Sequence, residues 1–389
     1  MNKIFIFLIW LTAISCFSQT SDNAIRSEFF IGKSIPSYEI NTGQKPQLVF
    51  GMSYEHKNND NSIEWQSILK NPTTGVSLYY ANYGTKTKGS SISLIPFVAF
   101  HPLKNQKWTT KFGMGISYFD TKYHPINNVN NKAISSDFTW AIQGIVYYDA
   151  TFNNIDLRLG LGAFHHSNGH TKLPNQGLNS ALFSVSTAFD LKNKKQKKNN
   201  TVFDKLTVKK YSNKFYGVRF GNGIQTFLFE NSKLKNIYSA SINGGVFYKN
   251  VVKLSLGANY RFYEHYYDYI VENNTEPYIK KPKWNASSVY LSVGVEVMLG
   301  YVGIDWEGGL NVHKPFYKEH YKLQNFNNTT KYTLKKMFLG RLGMKLYVIN
   351  TKKKPKNNIY LAAHINSNLS QADFSELSIG FTRNIFKNK

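Results

Sequence analysis

Strict alternation of apolar and polar residues dominates the chain. Over residues 288–300, Val289, Leu291, Val293, Val295, Val297 and Leu299 fall on one side. Tyr290, Ser292, Gly294, Glu296 and Met298 fall on the other. Residues 252–262 repeat the pattern, with Val252, Leu254, Leu256, Ala258, Tyr260 and Phe262 set against Lys253, Ser255, Gly257, Asn259 and Arg261. A period of two is that of a β-strand with two unlike faces. About sixteen such segments recur. The first eight are near 27–34, 47–55, 75–84, 89–101, 107–119, 137–150, 155–167 and 179–190. The second eight are near 213–222, 236–249, 252–263, 286–299, 301–312, 335–349, 358–367 and 373–386. Many have the roughly 9–11 residues with which a tilted strand crosses a bilayer. Pro96 disfavours a regular fourth strand.

The connections alternate in length. Residues 120–136 make a long link after the fifth segment, and 151–154 a short one after the sixth. Long outer loops and short periplasmic turns produce this asymmetry in an antiparallel transmembrane β-barrel. With a periplasmic start, every odd-to-even loop lies outside. Two periplasmic links break the rule, 56–74 and 191–212, and the second is rich in lysine (Lys192, Lys194, Lys195, Lys197, Lys198). The expected organisation is all-β: a leader at 1–19, a barrel half at 20–190, a solvated linker at 191–212 and a second half at 213–389. One barrel of about sixteen strands is preferred over two eight-stranded barrel-like halves, because two closed barrels in one chain are unusual.

The leader reads as a secretory signal peptide, with Lys3 before the apolar run Ile4–Ile14 and a plausible cleavage region at Ser15-Cys16-Phe17-Ser18-Gln19. The run is too short for a membrane-spanning helix. Cys16 is the only cysteine, so cleavage near Gln19 leaves no disulfide. Lipidation of Cys16 is the alternative, and Ala13 fits it poorly. Aromatic content is high, with 28 Phe and 26 Tyr, and only 18% of residues are charged. Both suit strands with one face in lipid. The net charge of +25 would ordinarily suggest nucleic acid. An exported chain instead meets the phosphorylated lipopolysaccharide of the outer membrane, so no nucleic-acid partner is expected. The oligomeric state is not encoded in any of these patterns.

Chemistry concentrates in residues 164–179, Phe-His-His-Ser-Asn-Gly-His-Thr-Lys-Leu-Pro-Asn-Gln-Gly-Leu-Asn. Leu157, Leu159, Leu161, Ala163, His165 and Ser167 share the apolar, lipid-facing side of the seventh segment. Asn179 continues the corresponding row of the eighth, with Ala181, Phe183 and Val185. Polar groups in such a row are costly unless they lie at the interface or serve a purpose. Residues two apart on a strand are about 6.6 Å apart. A histidine and a serine can bridge that gap, and a neighbouring strand can supply the third group of an acyl-transfer triad. His166 points to the lumen, so His165, His166 and His170 do not converge on a metal. His364 and Glu376 read as lumen lining.

At His165-His166-Ser167-Asn168 and Pro174-Asn175-Gln176-Gly177 the chain resembles the lipid A 3-O-deacylase (PagL-type) family, including its long members often called acyloxyacyl hydrolases. The resemblance covers mainly residues 27–190. Its long members also carry a pattern like Gln371-Ala372-Asp373-Phe374-Ser375-Glu376. It implies an outer-membrane barrel with its site on the outer wall and lipid A as partner. It also implies Ser167 as nucleophile and His165 as general base, with no cofactor. The family's acidic third residue is here Asn179, which can orient an imidazole but offers it no charge. Asn175 and the backbone at Asn168-Gly169 are the candidate oxyanion and support groups. The functional expectation is an esterase that removes an ester-linked acyl chain from lipid A. The alternative is a non-catalytic barrel, a pore or structural protein, with a decayed site.

Overall fold

The computed structural model describes residues 23–35, 45–60, 62–103, 107–152, 155–190, 213–228, 232–323, 329–369 and 371–385. The leader and the Lys-rich linker at 191–212 lie outside the described residues. Sixteen antiparallel strands form. The first eight are β1 (Asn23–Ile35), β2 (Gln47–Lys57), β3 (Thr73–Asn82), β4 (Ser90–Phe100), β5 (Trp108–Phe119), β6 (Phe138–Phe152), β7 (Ile155–Ser167) and β8 (Leu178–Asp190). The remainder are β9 (Lys214–Gln225), β10 (Lys235–Tyr248), β11 (Val252–Tyr263), β12 (Ser287–Leu299), β13 (Val302–His313), β14 (Phe338–Tyr347), β15 (Asn357–Asn368) and β16 (Gln371–Ile385).

The preferred single barrel is corrected. β1 pairs with β8, and β9 pairs with both β10 and β16, so each half closes on itself and the chain holds two eight-stranded barrels. Alternation specifies which face of a strand is apolar, but not which strand closes the ring. Pro96 sits within a continuous β4. The pairing to β5 is interrupted only at Ile95-Pro96, between Leu94↔Ile116 and Phe97↔Gly113.

Alternation sets the packing of both barrels. Inward residues bury charge and aromatic rings, and outward residues are apolar and exposed. In the first barrel Lys111 Nζ meets Glu28 Oε2 at 2.8 Å, and Tyr147 and Tyr79 donate to the same carboxylate at 2.6 and 3.0 Å. Arg26 pairs with Glu55 at 2.8 Å. Above them Phe30, Tyr79 and Phe164 pack edge to face. In the second barrel Arg341 bridges Glu307 and Glu376, each at 3.0 Å, and His364 Nε2 lies 2.9 Å from Asp305. An eight-stranded ring is just wide enough for side chains to fill. Both interiors are packed in this way, so neither described barrel presents an open channel.

Outside, Leu161 is 68% exposed and Leu377 70%. Leu256, Ile242, Leu361 and Phe220 are likewise exposed on their strands. Such a continuous apolar belt suits hydrocarbon rather than water. Aromatic pairs bound the belt of the first barrel, Trp108–Tyr148 at the short-turn end and Tyr118–Phe138 at the long-loop end. No helix among the described residues is long and apolar enough to cross a membrane.

The barrels touch at both ends. At the short-turn end the exceptional 56–74 link carries a helix, Glu64–Ile68. Glu64 there accepts from Asn250 at 3.2 Å and Lys354 at 2.9 Å of the second barrel. At the long-loop end the helices Glu264–Glu272 and Tyr317–Leu323 cap the second barrel. Their core is Tyr263, Tyr266, Ile270, Phe316 and Phe374, with Tyr263 and Tyr266 stacked at 4.7 Å.

Candidate active site

The register of three strands builds the site. His165 of β7 lies opposite Ile142 of β6 and Asn179 of β8, and Ser167 lies opposite Trp140. His165 and Asn179 both point outward, as the face counting requires. Their side chains meet, with Asn179 Oδ1 2.7 Å from His165 Nδ1. An amide oxygen only accepts, so His165 Nδ1–H is the donor, and in the neutral imidazole the lone pair then sits on Nε2. That is the tautomer a general base needs. Gly177 makes this possible. It has φ +74°, and a Cβ there would come within 3.0 Å of the imidazole.

Ser167 departs in one respect from the expectation of a lipid-facing row. It projects from the outer face but is only 4% exposed, because the chain after it folds back over the hydroxyl. Asn175 Nδ2 donates to Ser167 Oγ at 2.9 Å, and the Gly169 amide approaches it at 3.3 Å. These are two of the three groups expected to support an oxyanion, and both sit at the nucleophile candidate. The Asn168 amide instead donates to Asn175 Oδ1 at 3.2 Å. The Asn168 side chain ties the loop down, donating to Ser135 Oγ at 3.1 Å and to the Lys172 carbonyl at 2.8 Å. Asn168 therefore shapes the turn and leaves the donors to Asn175 and Gly169. Ser167 and His165 are not hydrogen-bonded to one another among the described residues.

The other histidines separate as face counting expects. His166 is buried inside the first barrel among Tyr83, Phe119 and Phe164. His170 leaves the first barrel and is buried at the cap of the second. Its carbonyl accepts from the Thr226 amide at 3.0 Å. Burial pushes the His170 imidazole below its ordinary value, against the pull of Asp373. Burial likewise takes its neighbour His320 down to about 3. His364 and Glu376 are wholly lumenal and pair with Asp305 and Arg341. Among the described residues no group of three His, Cys, Asp or Glu side chains converges as metal ligands would.

Below the site the outer wall is notched. Gly144, Ala163 and Ala181 form one row across β6, β7 and β8, with Val146, Leu161 and Phe183 beneath them. A Cβ at Gly144 would meet nothing within 4 Å. Three small residues side by side lower the outer wall directly beneath His165, above the large exposed Leu161, Val146 and Phe183. Alternation places Leu161 and Phe183 there. The notch itself depends on register, which alternation does not supply. The same limit hid Trp140 beside Ser167, Ser135 under Asn168 and the docking of His170.

Residues 48–188 match the model of the family described as Lipid A 3-O-deacylase (PagL). The match spans β2 to β8 and ends before the second barrel. No curated protein matches the chain. Among solved structures, the high-pH structure of Pseudomonas putida OprB is similar at 8% identity and TM-score 0.17, covering 95% of this chain and 94% of that one. The COG4313 outer membrane channel from Pseudomonas putida F1 is similar at 6% identity and TM-score 0.22, covering 95% and 97%. At such scores these likenesses carry no argument about this chain.

Proposed function

We propose that the protein is an outer-membrane ester hydrolase that removes an acyl chain from lipid A. One observation carries the reading. Within the stretch that matches the deacylase family, an oriented histidine, a serine and two N–H donors converging on the serine lie together at the loop end of β7, above the apolar outer wall. Ser167 Oγ attacks the acyl carbonyl and passes its proton to His165 Nε2. Asn175 Nδ2 and the Gly169 amide hold the oxyanion of the tetrahedral intermediate. Collapse breaks the bond to the sugar oxygen, which takes the proton from His165. Water, activated by the same imidazole, then releases the fatty acid and restores the serine.

Asn175 Nδ2 holds the serine hydroxyl. When the substrate carbonyl engages Asn175, the hydroxyl is released to turn towards His165. Such hydrogen bonds commonly tighten only when substrate binds. Entry is sideways from the membrane. The acyl chain lies along Ala163, Leu161, Ala181 and Phe183, and the phosphates stay near the exposed Lys172 at the polar boundary. The chain passes from one apolar phase to another, so its burial adds little affinity and selectivity comes from depth and head group. The packed interiors argue against the pore alternative. Lipid A from cells with and without the protein, compared by mass spectrometry, tests the reading. A mass lower by one acyl group is expected, and an unchanged profile from a folded, inserted protein overturns it.

A further inference from the structure

The motif Gln371-Ala372-Asp373-Phe374-Ser375-Glu376 belongs to the second barrel and takes no part in the chemistry above. Its place in the fold gives it a role. Ser375 projects outward from β16 against the turn that follows the nucleophile. Trp140 Nε1–H donates to Ser375 Oγ at 2.9 Å, and Trp140 is the cross-strand neighbour of Ser167. Gly169 lies so close to Ser375 that a Cβ on it would fall 2.1 Å from Ser375 Oγ.

The turn is conformationally expensive. Gly169 and His170 have φ of +63° and +69°. For the histidine this left-handed conformation is sterically costly, and it persists only where surroundings dictate it. Those surroundings come from the second barrel. Thr226 N–H donates to the His170 carbonyl at 3.0 Å, and the His170 ring is buried there. Gln225, the residue before Thr226, donates to the Asp373 carbonyl at 2.9 Å and to its carboxylate at 3.1 Å. Asp373 also accepts from Tyr263 at 3.0 Å. The end of β9 and the start of β16 are thus one braced unit, and that unit grips the turn.

We propose that the second barrel is a positioning element for the site. Ser375 and the Thr226 amide, braced through Asp373, fix the Gly169–His170 turn so that the Gly169 amide faces the Ser167 hydroxyl. The proposal rests on Ser167 being the nucleophile. It explains why a chain that could carry the deacylase motif on one barrel carries a second barrel at all. Ser375 touches neither substrate nor reacting atoms and acts through Gly169 and Trp140.

The test is a double-mutant cycle on the full chain in detergent, with lipid A as substrate. Heat-modifiable gel migration establishes that each variant is folded. Ser375→Ala and Trp140→Phe each lower kcat about five- to tenfold, close to the loss of one hydrogen bond. KM stays within about twofold, and the double variant is no slower than the worse single one. Ser375→Thr, which keeps the hydroxyl, recovers most of the rate. An unchanged kcat in Ser375→Ala, an effect on KM alone, or additive losses overturns the proposal. Labelling of Ser167 by a long-chain alkyl fluorophosphonate separates the two ideas. Labelling that slows in Ser375→Ala supports the clamp even if lipid A is not the substrate. Equal labelling of both proteins overturns the clamp and leaves the esterase reading standing.

Discussion

Asn179→Asp changes one atom at the site and tests how the histidine is supported. The amide oxygen already lies 2.7 Å from His165 Nδ1, so the isosteric carboxylate can take the same position without moving the backbone. At that distance, two unit charges in an effective dielectric of about 20 attract by about 6 kcal/mol. This is a ceiling, because the new carboxylate must also be partly desolvated. Charge-assisted hydrogen bonds contribute about 1.5–3 kcal/mol against about 0.5–1.5 for neutral ones, which leaves roughly 1–1.5 kcal/mol for the developing imidazolium. That corresponds to about a tenfold rise in kcat. The effect should be far smaller than the roughly 10⁴-fold seen when the triad acid of serine proteases becomes an amide, where the wrong tautomer accounts for the loss. Here Oδ1 already selects the right tautomer, and only the charge is missing. A carboxylate also favours protonated imidazole, and the base must be neutral to act. The acidic limb of the rate–pH profile should therefore lie at higher pH than in the unmutated protein. Fatty-acid release by the two proteins across pH 5–9 is the assay. A fall in rate with the fold intact, or a rise with no movement of the acidic limb, would refute the role given to Asn179. Asn179→Glu restores the family's own acid. With one more methylene it should gain less than the aspartate.

Three further outcomes follow from particular residues. Gly144 opens outward with nothing near its missing Cβ, so Gly144→Phe should fold normally and fill the notch beside Ala163. Release of a long acyl chain should fall on the order of tenfold while a short-chain ester is spared, and equal losses on both would place the chain elsewhere. The seam should weaken in acid. His170 and His320 are held neutral by burial, facing Asp373 of β16, Lys314 before the cap and His265 of the helix Glu264–Glu272. Above pH about 6.5 both are neutral whether docked or free. As pH falls below about 6.5 His170 of the undocked chain gains a proton that the docked one resists, so docking stability declines towards acid. Thr226 amide exchange, corrected for its intrinsic pH dependence, should be faster at pH 5 than at pH 7.5, and unchanged protection would contradict this. Epitope tags beside Lys172 and Lys195 should be surface-accessible and hidden, respectively, on intact cells. The reverse pattern would move the site away from the outer leaflet.

Strand number and facing were legible because a period of two leaves little freedom once one face must be apolar. Leu157 to Ser167 and Asn179 to Phe189 could be assigned to faces without coordinates, which puts His165 and Asn179 on one face, while their contact depends on the β7–β8 register. Closure was not legible. Whether β8 returns to β1 or continues into a larger ring depends on pairings between residues that are distant in sequence, such as Phe29 with Val185. The packed lumen was missed for the same reason. A Cβ at Gly160 would already stand 2.4 Å from Ser184 and 2.6 Å from Tyr147. The seam was least visible. Ser375 is 235 residues from Trp140, and only three-dimensional closure of both rings brings them together.

The central claim is that Ser167 is the nucleophile of a lipid A esterase, and the most direct measurement is the mass spectrum of lipid A from cells that carry either the unmutated protein or Ser167→Ala at equal levels in the outer membrane. The unmutated protein should yield lipid A short of one acyl chain together with the matching free fatty acid, and Ser167→Ala should yield neither while its barrels remain folded and inserted. Lipid A trimmed equally by both proteins would show that another residue does the chemistry. Lipid A trimmed by neither would show that this site is not a deacylase.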